Sequence, residues 1–308
     1  MNHSFAAGLV ACLLAVILWG VQFPIAKDAF AIVDPFHVTL FRYLVALSLL
    51  LPFFIWREGL SSLRYEGKSW LVCSMGAMGM SISPLMVFYG ISIAGAEHGA
   101  VIVALQPSMM ALTQWVISRK RPAGFTLICI GVAFLGVVMV VTRGGAGIRE
   151  SANAIWGSVL ILAGGLCWVY YTLGTERLKG WSVWRITVLT MLPGTATSLI
   201  FILTVTSTGL LASPGVADYR AVAGELLFLA LFGVLFGMLA WNFGTRRIGP
   251  LNSMLLTNLM PVATFGWRAA HGHQFAQAEL MGAAIVLAAL IANNVYLRVQ
   301  HLRARADT

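Results

Sequence analysis

Two apolar runs carry polar groups that hydrocarbon does not satisfy: VALQPSMMAL at 103–112 and LLTNLMPVATF at 255–265. Gln106, Asn258 and, in a neighbouring run, Asn242 are amides, which donate and accept hydrogen bonds without needing an ion partner. That chemistry suits the carboxylate or ammonium of a zwitterion, and it equally suits a hydrogen bond between helices. Pro107 and Pro261 each delete the N–H that would reach the carbonyl four residues back, on Val103 and Thr257. A carbonyl without a donor in lipid costs several kcal/mol, so both should face protein or water. The two prolines read either as gating elements beside a wet cavity or as packing kinks.

The aromatic residues sort by depth. Trp56, Trp70, Trp115, Trp156, Trp181, Trp184 and Trp267 fall near the ends of apolar runs, as an interfacial belt would. Trp19 and Trp168 lie about thirteen residues into theirs, and Trp241 is intermediate. With Gln22, Tyr89, Tyr170 and Tyr171 they form a candidate wall for stacking an aromatic or apolar side chain. Ordinary helix packing would use the same residues. Arg42 sits about six residues into its run, ~9 Å from the outer edge. There it can snorkel to the surface or act as a charge at a cavity mouth.

These residues need elements to hold them, and composition says which kind. The 308 residues are 59% hydrophobic and 10% charged, against about 25% charged in a soluble domain. Mean hydropathy is +0.86. Ten runs reach the ~20 apolar residues that a spanning helix needs. They are 5–26, 36–56, 69–92, 97–118, 124–142, 155–175, 183–206, 222–245, 250–268 and 278–298. The first lacks a basic n-region and is too long for a signal peptide, so it is read as a helix.

With the N-terminus in the cytoplasm, 14 Lys and Arg fall on that side and 5 on the other; Arg42, inside a run, completes the 20. This bias puts both termini in the cytoplasm. The net charge of +9 is then assigned to cytoplasmic loops, and no nucleic-acid partner is implied. Cys12, Cys73, Cys129 and Cys167 all lie within apolar runs without metal-ligand spacing. EGKS at 66–69 lacks the upstream glycine of a phosphate loop, and HGH at 271–273 offers too few metal ligands. No catalytic pair, metal or cofactor is implied.

The chain also repeats. FYGISIAGAEHGAVIVALQP (88–107) lies over NFGTRRIGPLNSMLLTNLMP (242–261) without a gap, matching Gly90, Gly95, Leu105 and Pro107 to Gly244, Gly249, Leu259 and Pro261. Trp19 likewise falls near Trp168. Two halves follow, 1–150 and 151–308, each with five spans. Five is odd, so the halves should be inverted, with a substrate site near the midplane between them. The spacings Gly95–Gly99 and Gly233–Gly237 permit close helix approach.

The ten spans, the WG near the end of the first helix, the mid-helix prolines of the fourth and ninth, and the basic RKRP after the fourth resemble one family. It is the EamA-type branch of the drug/metabolite transporter superfamily, and the resemblance covers about residues 5–298. It implies export of amino acids and other small metabolites across a bacterial inner membrane. The chain is similar to the aromatic amino-acid exporters of that branch. One departure is the sixth helix, which reads CWVYY where the first reads LWGVQFP.

All 11 acids and six histidines fall in loops or within about a turn of a run's end. No midplane proton relay is therefore expected, and facilitated export by alternating access is. A proton-coupled exporter of cationic compounds would want a buried acid, and an integral-membrane enzyme would want a polar cluster at one interface. The expected partners are a small-molecule substrate and the lipid bilayer, and one copy suffices.

Overall fold

A computed structural model describes residues 3–119, 121–141 and 151–306. The division at residue 150, the charges Lys120, Arg143 and Arg149, and the side chains of Arg298, Arg303 and Arg305 lie outside this description. The described residues form helices joined by short turns and loops, with no strand among them.

The first half starts with α1 (His3–Ala29) and α2 (Pro35–Glu58), then α3 (Ser69–Ala94). A broken segment follows as α4 (Ala96–Val103) and α5 (Gln106–Ser118), then α6 (Gly124–Val141). The second half holds α7 (Ser151–Gly174), α8 (Val183–Ser207) and α9 (Ala223–Ile248). Its broken segment is α10 (Pro250–Leu256) and α11 (Met260–Ala270), and α12 (Gln277–Ala306) ends the fold.

Seven of these helices are long and apolar enough to cross a membrane, or eight if the bent pair α4–α5 is one span. The ten spans expected from the sequence are therefore met in part. The ninth run is split by the 3-10 turn Thr257–Leu259, and the apolar stretch of α12 is described over Gln277–Asn293.

Local signals explain where helices begin. Asp34 accepts from the N–H groups of Phe36 and His37 at 3.0 and 3.1 Å, with Pro35 opening α2. Ser182 caps α8 in the same way, accepting from Arg185 at 2.9 Å. Each cap satisfies donors that the first turn leaves free.

The two halves share unusual features at aligned positions. π-helical segments interrupt α3 at Gly76–Ile82 and α9 at Leu229–Phe236. Glycines with positive φ, Gly95 (108°) and Gly249 (85°), turn the chain into α4 and α10. α1 packs on α9 as α7 packs on the C-terminal part of α3. At both crossings two glycines face each other. A Cβ on Gly244 would lie 2.7 Å from the Gly8 carbonyl, and one on Gly90 would lie 2.6 Å from that of Gly157. Only small residues allow backbones this close.

The prolines do not kink the middle of continuous helices. α4 ends in a tight turn, with Leu105 N–H on the Ile102 carbonyl at 3.0 Å, and α5 starts at Gln106 after a 41° bend. Pro107 occupies the first turn of α5, and Pro261 the first turn of α11. A helix's first-turn N–H groups are unpaired anyway, so proline costs little there. The break precedes each proline because the ring removes the N–H that would bond the carbonyl four residues back and crowds that carbonyl. The residues just before, Gln106 and Met260, are already helical.

Candidate functional site

A cavity of about 80 Å³ lies where α1, α2, α3, the α4–α5 break, α7 and α9 converge. Trp19 and Gln22 reach it from α1, Arg42 from α2, Phe88 from α3, Gln106 from the break and Trp168 from α7. Four of the six were expected from sequence as substrate-binding residues.

The aromatic wall is a packed cluster. Trp19 meets Trp168 edge-on at 5.2 Å between centroids and tilts against Trp241 at 5.1 Å. Tyr171 stacks on Trp168 at 5.0 Å. Such pairs contribute about 0.5–1.5 kcal/mol each beyond area burial. The Trp19 indole donates to the Gly233 carbonyl at 2.8 Å, so its ring is fixed to the π segment of α9.

Arg42 does not snorkel outward: it is 4% exposed and lines the cavity. Its Nη1 donates to Gln22 Oε1 at 3.2 Å, and its Cζ lies 3.9 Å from the Phe88 ring centroid. A desolvated cation over an aromatic face gains up to about 2 kcal/mol. Nε has no partner, and no carboxylate among the described residues pairs with this guanidinium. The sequence reading measured only depth along the helix. Depth does not say which face a side chain takes, and α2 turns Arg42 inward.

Gln106 also lines the cavity, and its amide makes no hydrogen bond to a described residue. Asn242 does not line it. Its Nδ2 donates to Tyr171 Oη and to Thr187 Oγ1, each at 2.9 Å, so it joins α9 to α7 and α8. Tyr171 and Trp241 are buried behind the wall. Asn258 is buried in the second break, outside this cavity, with neither amide atom partnered. Tyr89 is 37% exposed and stacks on Phe36 at 5.1 Å, away from the cavity. Tyr170 bonds Ser74 on an exposed face. Pro107 and Pro261 stand beside the cavity-lining Gln106 and Met260 without lining it themselves.

Two ion pairs join the halves at opposite ends of α3, whose 26 residues rise ~39 Å. At one end Arg185 meets Glu66 at 2.8 Å, and the Trp181 indole donates to the same carboxylate at 2.8 Å. Trp181 is 3% exposed, so it is not a belt residue as expected but part of this contact. The Trp181 hydrogen bond, then Arg185, holds the Glu66 carboxyl below the usual carboxylate range. At the other end Arg268 Nε meets Glu97 Oε1 at 2.8 Å, and His273 Nε2 lies 3.7 Å from the same oxygen. Lys27 donates to the Ser92 carbonyl nearby. Sequence reasoning missed both pairs because partners from different halves leave no local signal.

A helical membrane protein with broken helices around a central aromatic and amide-lined cavity is built as a carrier. The chain belongs to the EamA-like transporter family, whose model matches twice, over residues 6–142 and 155–295. Its relatives include the uncharacterized transporters YrdR and YyaM of Bacillus subtilis. YrdR is 30% identical over 295 residues, 94% of this chain and 92% of that one. YyaM is 28% identical, covering 92% of each. An uncharacterized transporter of Archaeoglobus fulgidus is 25% identical over 82% of this chain and 84% of its own length. One crystal structure shares the fold at a TM-score of 0.68 and 18% identity, covering 96% of this chain and 99% of that one. The protein is therefore a membrane transporter of small molecules.

Proposed function

We propose that this transporter exports amino acids with apolar or aromatic side chains, and related small metabolites, across a bacterial inner membrane by alternating access. The carrying observation is the cavity: Trp19 and Trp168 offer flat apolar faces beside the polar groups of Gln22, Arg42 and Gln106. Ten spans complete the reading when the α10–α11 segment and α12 join the eight. They form two five-helix halves, 1–150 and 151–308, in opposite orientation, with both termini cytoplasmic as the Lys and Arg bias directs.

At about 80 Å³ the cavity is smaller than the ~300–1,000 Å³ of ligand pockets. Loading a metabolite therefore requires the halves to move apart around Trp19 and Trp168. The matched breaks before Pro107 and Pro261 are the gating elements in this reading. Transport is facilitated in this reading, because no acid among the described residues lines the cavity to relay a proton. The same lining speaks against the rival reading, a proton-coupled exporter of cationic compounds.

The test is counterflow of labelled amino acids into sealed liposomes holding purified protein, with no pH gradient. Exchange is expected for the parent. It should fall for Trp168→Ala and Gln106→Ala. Uptake that occurs only under an imposed pH gradient refutes facilitated export and makes Glu97 the first candidate for coupling. If both variants match the parent for every substrate, the site assignment fails.

A further inference from the structure

We propose that Arg42 is the anchor for a substrate carboxylate, so that the cavity requires a negative head group and does not require an ammonium. This rests on the reading of the cavity as the substrate site. A guanidinium carries five N–H donors in a fixed fork. Among the described residues, one hydrogen bond uses this fork: Nη1 to Gln22. Nε is buried without a partner. Phe88 lies under the guanidinium at 3.9 Å and Tyr43 at 5.3 Å, which holds the cation but takes none of its in-plane donors.

A buried cation with free donors and no counter-ion is costly to keep. A planar carboxylate offers the matching pair of acceptors, in the bidentate geometry that distinguishes arginine from lysine. The opposite charge has no such receptor. Among the described residues no Asp or Glu lines the cavity, so an ammonium there meets neutral acceptors such as Gln22, Ser83 and Gln106 and aromatic faces, with no counter-charge. The second half does not duplicate the charge. Counting from the matched caps Asp34 and Ser182, the counterpart of Arg42 is Thr190, whose hydroxyl is bonded to the Ile186 carbonyl at 2.7 Å. One cation beside a flat apolar wall describes an aryl or alkyl monocarboxylate, with amino acids carried by virtue of their carboxylate.

The experiment is competition in the liposome counterflow assay between phenylalanine, 3-phenylpropionate, which lacks the ammonium, and phenethylamine, which lacks the carboxylate. In the parent protein 3-phenylpropionate should compete at least as well as phenylalanine. Phenethylamine should be weaker by on the order of ten- to a hundredfold, the worth of a charged hydrogen-bonded contact. Arg42→Gln should weaken both carboxylates by a similar factor, and Arg42→Lys should restore part of it. A merely structural arginine would lower transport of all compounds alike. Phenethylamine competing as well as phenylalanine overturns the anchor, whatever the variants do. So does Arg42→Gln with parental preference. If none of the three compounds is carried by the parent, the exporter reading falls and the anchor falls with it. Exchange of 3-phenylpropionate without phenylalanine keeps the anchor and replaces amino acids by organic acids as the cargo.

Discussion

At the residue scale, matched positions in the two halves have taken different tasks. Gly79 and Gly233 sit at corresponding points of the two π segments. A Cβ on Gly79 would lie 2.5 Å from Tyr171 Cβ, an atom fixed to its backbone. A Cβ on Gly233 would lie 2.5 Å from Gln22 Oε1, the far end of a flexible side chain. Gly79→Ala should therefore destabilise the fold by about 1–3 kcal/mol, as overpacking does, read by thermal unfolding in detergent. Gly233→Ala should unfold near the parental temperature yet bind substrate more weakly, because Gln22 must leave Arg42. Equal loss of stability in both would refute this difference.

Some of these residues were legible in sequence and some were not. Trp19, Trp168, Gln22 and Gln106 stand out because a large ring or an amide deep in an apolar run has few places to go. Asn242 and Tyr171 gave the same signal but bond each other across helices at 2.9 Å. One chain position cannot separate a ligand from a strut when both satisfy the same amide.

At the element scale, the broken segments are the hinges of the proposed motion. Leu105 and Leu259 close tight turns just before Gln106 and Met260, so each break ends beside a cavity-lining residue. Pro107→Ala restores a donor and lets α4 run on into α5, straightening the 41° bend. Exchange rate should fall several-fold while substrate preference stays. Gln106→Ala should instead change which substrate is carried. Rates and competition profiles measured for both variants in the same liposomes check this, and a changed profile for Pro107→Ala sinks it. The prolines announced the breaks in sequence. The π segments were invisible, because a helix that is apolar all round has no stripe whose drift would show a longer turn.

At the scale of the whole molecule, the Glu66–Arg185 and Glu97–Arg268 contacts tie the halves at both ends. In alternating access one must open while the other holds. Glu66→Gln should raise labelling of a cysteine placed at Ser182, and Glu97→Gln should raise labelling at Phe275. Each variant should leave the other end unchanged. Both ends opening in either variant would refute the division of labour. The pH dependence has a definite sign. The Glu66 carboxyl is held below its usual range, so its contribution to closure is complete above that range. It is lost progressively as pH falls from the ordinary carboxylate range through the lowered value. Labelling at Ser182 should therefore stay flat from neutral pH down to the ordinary carboxylate range, rise as pH falls from that range through the lowered value, and level off below it. Length and apolarity made seven or eight helices legible from sequence. The joining of the halves was not, because it depends on pairs such as Glu97 and Arg268 that stand far apart along the chain.

The π segments Gly76–Ile82 and Leu229–Phe236 bear on how such a chain can change its length. In an α-helix, losing one residue rotates everything beyond it by ~100° and turns buried faces outward. A π turn already holds one residue more than an α turn needs. Removing a codon there lets the turn relax to α geometry while both flanks keep their facing. The middle of α3 and α9, where a bilayer-spanning helix should least tolerate insertion or deletion, is thus where this gene has slack of one triplet in each half.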